Sequence, residues 1–345
     1  MRALVFKDPG RVELSEVPRP ALQEPSDAVL RVTTAGLCGT DLHLLRREMP
    51  MQDGEVLGHE FVGVVEEAGP AVRRFRPGDR AVACMFASCG ACYYCLKGWA
   101  VQCEHLQQFG CGSWTRSPGG GQAEMVRVPF ADRTLEPVPD SLADEEAIFV
   151  GDILATAMFG AERAQIAPGD SVAVIGAGPV GLLAVQCARL LGPARVYAVD
   201  MVDARLELAR ELGAIPVDAR LRHPVEALKA ETKDRGVDAS IECVGTPAAV
   251  ETAVDCVRAG GTVSAVGYPS VVSADFPYMM AWLKDLTFRA GFCNVRPYMR
   301  PLLDLVEARR LEPARIVSHR MALDEGPEAY RLFEEKEAVK VLLCP

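Results

Sequence analysis

The chain has 345 residues, 49% of them hydrophobic and 24% charged, enough for two domains with sizeable cores. Its 37 Lys and Arg stand against 47 Asp and Glu, a formal net charge of −10, and that excess of acid excludes nucleic acid as the main partner, because phosphate binding needs a basic face. The opening run MRALVFKD is too short and too charged for a signal peptide or a membrane span. A cytoplasmic protein is expected, in which 12 reduced cysteines serve as ligands or core residues rather than disulfides.

In chain order, the first ~130 residues read as β-rich, with runs such as AVLRVTTAG, FVGVVEEAG and AEMVRVPF set between Gly and Pro breaks. The basic run RRFRPGDR (73–80) reads as an exposed turn. From 153 the rhythm changes. SVAVIG (171–176) is a buried strand, PVGLLAVQCARLLG has helical period, RVYAVD (195–200) is a strand, and ARLELARELG is a helix capped by Gly213. VDASIECVG, PAAVETAVDCVRAGG and TVSAVG continue as strand, helix and strand, and LTFRAGF (286–292) is a final strand. This alternation predicts a doubly wound parallel sheet. A helix, YMRPLLDLVEARRL, follows, with Pro301 tolerable only in its first turn. The tail KVLLCP reads as a strand.

Three groups of residues carry chemistry. CGACYYCLKGWAVQC places Cys89, Cys92, Cys95 and Cys103 at spacings that suit a tetrahedral four-sulfur zinc cage, with an iron–sulfur cluster as the rival. Such a cage is closed to substrate and would brace an exposed lobe. SVAVIGAGPVGLLA contains Gly176, Gly178 and Gly181, with Pro179 and Val180 between them, directly after a strand and opening a helix. In that context the glycines admit a tight turn, a close approach to a pyrophosphate and close helix packing. Asp200 ends the next strand, where it would accept from ribose hydroxyls and repel a 2′-phosphate, favouring NAD over NADP. AGLCGTDLH and VLGHEFVGVVEEAGPAV supply Cys38, His59 and Glu60. A thiolate and an imidazole suit zinc, and a third ligand with an open position would make that zinc catalytic.

Gly58-His59-Glu60, Gly63, Gly69, Val72, the four-cysteine lobe and the dinucleotide motif, in this order, resemble the zinc-dependent medium-chain alcohol dehydrogenases over essentially the whole chain. The resemblance implies an α/β fold: a β-rich GroES-like catalytic domain (1–152, with its lobe at about 84–112), a Rossmann NAD-binding domain (153–295) and a return to the catalytic domain (296–345). It implies a third catalytic ligand near the entry to the nucleotide domain. There FVGDILATAMFGAERA offers Asp152, as in the aspartate-ligand branch near bacterial secondary alcohol and formaldehyde dehydrogenases, with Glu145 and Glu146 as competitors. Glu60 would be a transient ligand, and Asp41 would bond the ligating histidine. Thr40 would touch the substrate oxygen, and His43 would take the proton by way of the nicotinamide ribose. Arg205 would lean over the ribose or adenine, and Lys340 would pair with the pyrophosphate. NAD, two zinc ions per subunit and a homotetramer are implied as well.

A metal is needed because an alcohol yields hydride readily only after losing its proton. Zinc lowers the pKa of bound water from 15.7 to about 7, on the order of 12 kcal/mol. A positioned base supplies roughly 10²–10⁴-fold, so the metal dominates. The expected activity is reversible hydride transfer between a zinc-bound primary or secondary alcohol and NAD, giving an aldehyde or ketone. Alternatives are a formaldehyde dehydrogenase or dismutase that holds NAD tightly and a polyol dehydrogenase. From a different class comes a non-catalytic NAD-binding structural protein with no metal at Cys38.

Overall fold

A computed structural model describes every residue except Pro9. The chain divides into two compact units, Met1–Ala155 with Asn294–Pro345, and Thr156–Cys293. The boundaries read from the sequence stand at 152/153 and 295/296.

The first unit is built on a seven-stranded sheet in the order His319–Ala322, Val341–Cys344, Ala28–Gly36, Glu60–Ala68, Arg80–Ala83 and Leu135–Pro137, with Met125–Val128 also paired to Ala28–Gly36. His319–Ala322 and Val341–Cys344 run parallel, and the other pairings are antiparallel. Val-rich strands suit this half-buried surface. Their inward residues, with Leu4, Phe6, Phe109, Tyr330 and Phe333, form one core. Within it Phe61 and Phe109 meet edge to face at 5.0 Å, an arrangement that adds about 0.5–1.5 kcal/mol to simple burial. Register matters for the site: Gly36 lies opposite both Glu60 and Leu342, so the last strand brings Lys340 alongside Glu60.

The second unit is a six-stranded parallel sheet in the order Ile215–Asp218, Arg195–Asp200, Ser171–Ile175, Val237–Glu242, Val257–Ala265, Thr287–Ala290. The order reverses between Ser171–Ile175 and Val237–Glu242, and the crevice at the carboxyl ends of such a pair is where ligands bind in sheets of this kind.

Two helix boundaries are corrected, and one strand is added. Ile215–Asp218 is a strand that the pattern does not reveal, because an edge strand with an exposed Ile215 and a Pro216 lacks an apolar run. The helix Pro247–Cys256 ends early, since Val257 pairs with Val237 and Gly260 and Gly261 disfavour helix. The helix Arg296–Glu307 starts earlier than expected, with Pro297 in its first turn and Pro301 inside it. The basic run 73–80 is an exposed turn, as expected, apart from a buried Phe75, with Arg74 paired to Glu136 and Arg80 to Asp144, each at 3.1 Å. Among the described residues no helix is long and apolar enough to cross a membrane.

Candidate active site and dinucleotide loop

Three stretches of the first unit converge on one buried cluster. Cys38 lies two residues beyond the strand Ala28–Gly36 and caps the helix Gly39–Leu45. His59 immediately precedes the strand Glu60–Ala68, and Asp152 follows the short turn Ile148–Gly151. Cys38 Sγ lies 3.8 Å from Asp152 Oδ2, and His59 Nε2 lies 3.2 Å from the same oxygen. Cys38, His59, Glu60 and Asp152 each offer a ligand atom, all within 4.8 Å of one another. A tetrahedral zinc with bonds of 2.0–2.3 Å sets such donors about 3.3–3.5 Å apart, so the separations fit one ion.

The electrostatics fit it too. Four acids, Cys38, Asp41, Glu60 and Asp152, are buried here with a single lysine, Lys340. Burial pushes the Cys38 thiol up. Burial also works against a charged His59, yet the Cys38, Asp41 and Asp152 charges overcome it and raise the imidazole pKa well above its ordinary value. This cluster draws positive charge inward, and a dication supplies it. His59 Nδ1 and Asp41 Oδ1 are 3.4 Å apart, and among the described residues neither makes a hydrogen bond; a proton on Nδ1 would serve this contact and leave the Nε2 lone pair for a metal.

The competitors for the third ligand are elsewhere: Glu145 pairs with Arg320 at 2.6 Å, and Glu146 accepts from the Ala143 amide at 2.9 Å and pairs with Arg309. Thr40 Oγ1 stands 3.8 Å from Cys38 Sγ. His43, on the same helix, contacts Glu48 through Nδ1. Lys340 has partners other than the phosphate expected from the sequence. It is fully buried, with Nζ donating to Glu60 Oε2 at 2.6 Å and to the Leu37 carbonyl at 2.7 Å. Gly36 makes room for this pair, because a Cβ there would sit 2.8 Å from Glu60 Oε2. Nothing local marks Lys340 as the partner of Glu60, 280 residues away.

The four-cysteine lobe is a second cluster. Cys103 Sγ lies 3.8 Å from Cys92 Sγ and 3.5 Å from Cys89 Sγ. One tetrahedral ion with bonds of about 2.3 Å spaces sulfurs about 3.8 Å apart, whereas a disulfide needs about 2.05 Å. Amides are turned to the sulfurs: Cys89 and His105 each donate to Cys103 at 3.3 Å. The amides of Cys95 and Glu104 hold the Cys92 thiol down to about 6. Tyr93, Leu96 and Trp99 are exposed, so the lobe has little core of its own to hold it.

In the second unit each motif glycine has its own reason. Gly176 has φ +91°, a left-handed backbone that favours glycine. A Cβ on Gly181 would lie 1.8 Å from the Gly176 carbonyl oxygen, so the helix Pro179–Leu190 packs on its strand only without one. Around Gly178 a Cβ would meet only Arg205 Nη1, at 3.8 Å, which leaves the main chain open to a phosphate at a helix N-terminus. Pro179 and Val180 start that helix. Asp200 Oδ2 accepts from the Ala177 amide at 2.7 Å and Oδ1 from Met201 and Val202 at 2.7 and 3.0 Å, fixing its carboxylate beside the loop. Arg205 lies beside Gly178, and its Nε is buried without a hydrogen-bond partner.

A parallel sheet with a glycine-rich strand-to-helix turn and a Cys–His–Asp donor set suit a zinc-binding, nicotinamide-dependent dehydrogenase. Residues 24–140 match the alcohol dehydrogenase GroES-like domain and residues 179–308 the zinc-binding dehydrogenase domain. An alcohol dehydrogenase of Cupriavidus necator is 38% identical, covering 100% of this chain and 99% of its own. The structure of alcohol dehydrogenase TADH from Thermus sp. ATN1 is 47% identical with a TM-score of 0.96, covering 100% of this chain and 99% of that one. A putative zinc-binding dehydrogenase from Sinorhizobium meliloti 1021, solved bound to NADP, is 33% identical with a TM-score of 0.89, covering 100% and 99%. The chain belongs to the zinc-dependent medium-chain alcohol dehydrogenase family.

Proposed function

We propose that the protein is an alcohol dehydrogenase that moves hydride reversibly between a primary or secondary alcohol and NAD, giving an aldehyde or ketone. The observation that carries this reading is the buried convergence of Cys38 Sγ, His59 Nε2 and the Asp152 carboxylate at zinc-ligand separations. Glu60, the fourth member, gives Oε2 to Lys340 and keeps Oε1 unpartnered, so it suits a transient ligand; a zinc held by Cys38, His59 and Asp152 would keep one position for substrate, the arrangement of a catalytic rather than a structural site. When both groups are bound, zinc acidifies the alcohol hydroxyl and NAD accepts the hydride.

The chain's own residues do the rest. Thr40, beside Cys38, accepts the hydroxyl proton in a hydrogen bond and orients the alcohol. His43, its Nδ1 occupied by Glu48, takes the proton toward solvent. Asp200 favours NAD, because its carboxylate repels the 2′-phosphate of NADP. Two zinc ions per subunit are supported by the two separate donor clusters. A homotetramer is supported by the edge strand Thr287–Ala290, flanked by exposed Met279, Trp282 and Leu283. Thiolate ligands require reduced sulfur, which suits the cytoplasm.

The test is a set of Cys38→Ser and Asp152→Asn variants. Both should lose one zinc per subunit and all measurable turnover while binding NADH with wild-type affinity. Turnover in a variant that lacks that zinc would overturn the proposal. A panel of simple alcohols, polyols and formaldehyde, each with NAD and with NADP, assigns the substrate class.

A further inference from the structure

A line of buried polar groups runs from the C-terminal helix to the candidate metal site. Tyr330, on the helix Gly326–Glu334, donates its hydroxyl to Gln122 Oε1 at 2.7 Å. Gln122 Nε2 donates to Asp41 Oδ2 at 3.1 Å and to the Gly36 carbonyl at 3.2 Å. Asp41 Oδ2 also accepts from the Cys38 amide at 3.0 Å, and Asp41 Oδ1 faces His59 Nδ1 at 3.4 Å. Tyr330, Gln122, Asp41 and His59 are 3%, 0%, 0% and 1% exposed, so water cannot replace a lost partner. Gly58 makes the crossing possible, since a Cβ there would lie 2.4 Å from Gln122 Cγ.

The donor and acceptor chemistry allows one arrangement of this line. The Gly36 carbonyl and the Asp41 carboxylate only accept, so the Gln122 amino group must face them and its oxygen must face Tyr330. Burial raises the Tyr330 hydroxyl pKa well above its ordinary value, so it stays a donor. Two N–H groups pin Asp41 Oδ2, and Oδ1 is left 3.4 Å from Nδ1 of the ligating imidazole, the group nearest to take it. We propose that Gln122 and Tyr330 are positioning residues for the metal: through Asp41 they fix the plane and tautomer of His59, so the C-terminal helix governs how firmly the Cys38–His59–Asp152 site holds its ion. This rests on the zinc reading given above and goes beyond its ligands. Hydrogen-bonded partners behind a ligating histidine tune metal affinity by roughly 10–100-fold.

The test follows zinc release to a chromogenic chelator from wild type, Tyr330→Phe, Gln122→Met, the double variant and Cys38→Ser. Wild type should release two zincs in two phases, and Cys38→Ser identifies the catalytic phase by lacking it. Gln122→Met should speed that phase about tenfold, the low end of the range for such partners. Tyr330→Phe should speed it less, and the double variant should match Gln122→Met, because the two residues act in series. The lobe phase should not change. Wild-type release in both single variants, equal acceleration of both phases, or additive effects in the double variant would overturn the inference. If Gln122→Met does not fold, Tyr330→Phe carries the test alone, since it removes one oxygen atom. A wild-type trace with only the phase that Cys38→Ser retains would overturn the zinc reading and this inference together.

Discussion

Replacing Gly178 by alanine separates cofactor binding from folding. A methyl at this position would meet only Arg205 Nη1, at 3.8 Å, and the backbone there, φ −69° and ψ −174°, suits any residue. The unliganded unit should therefore keep its stability, or gain about 0.4–1 kcal/mol from a less free unfolded chain. The methyl instead occupies the approach to the main chain that a pyrophosphate would use. Losing one charge-assisted hydrogen bond costs about 1.5–3 kcal/mol, roughly a ten- to hundredfold rise in Kd. Gly181→Ala makes the opposite trade. Its methyl lands 1.8 Å from a backbone oxygen that cannot turn aside, and overpacking of this kind costs about 1–3 kcal/mol or more. NADH titration by fluorescence and thermal melting of both variants read the two effects apart. Wild-type NADH affinity in Gly178→Ala, or wild-type melting in Gly181→Ala, would refute the reasoning.

Three other outcomes are expected. Lys340→Met leaves the Glu60 carboxylate buried without its cation, a loss of about 3–5 kcal/mol; an unchanged urea midpoint would contradict it. In the lobe, Cys92 is held down to about 6 by backbone amides while burial pushes Cys103 up to about 12. Near neutral pH Cys103 must therefore give up a proton to bind zinc and Cys92 largely need not, so lobe affinity should rise with pH. Calorimetry in buffers of different ionisation enthalpy should count fewer protons released per zinc than there are cysteines, and one proton per cysteine would place Cys92 neutral. His43→Ala should lower kcat most at the acid end of the pH–rate profile, and a profile of unchanged shape would remove His43 from the proton path.

The alternation from Ser171 onward and the two compact motifs could be read from the sequence because each is made within one stretch of chain. Cys89 to Cys103 is a single loop, and Gly176 to Gly181 is one turn between a strand and a helix, so spacing alone constrains the geometry. Asp152 was one of three nearby carboxylates, and the fold separated them: Glu145 and Glu146 are engaged by Arg320 and Arg309, while Asp152 alone reaches Cys38 and His59. Ile215–Asp218 carries no strand signature in the sequence, because on a sheet edge it needs no buried run and tolerates Pro216. The Lys340–Glu60 pair and the Tyr330–Gln122–Asp41 line could not be foreseen at all. Their partners are 280 and 208 residues apart along the chain; Lys340 reaches Glu60 because the last strand pairs beside Ala28–Gly36 with Gly36 between Glu60 and Leu342, and Tyr330 reaches Gln122 from the helix Gly326–Glu334. Local sequence fixes which groups can bind a metal or a phosphate. The long-range pairing of strands decides which buried charge meets which, because a buried polar group must find its partner wherever the fold places one.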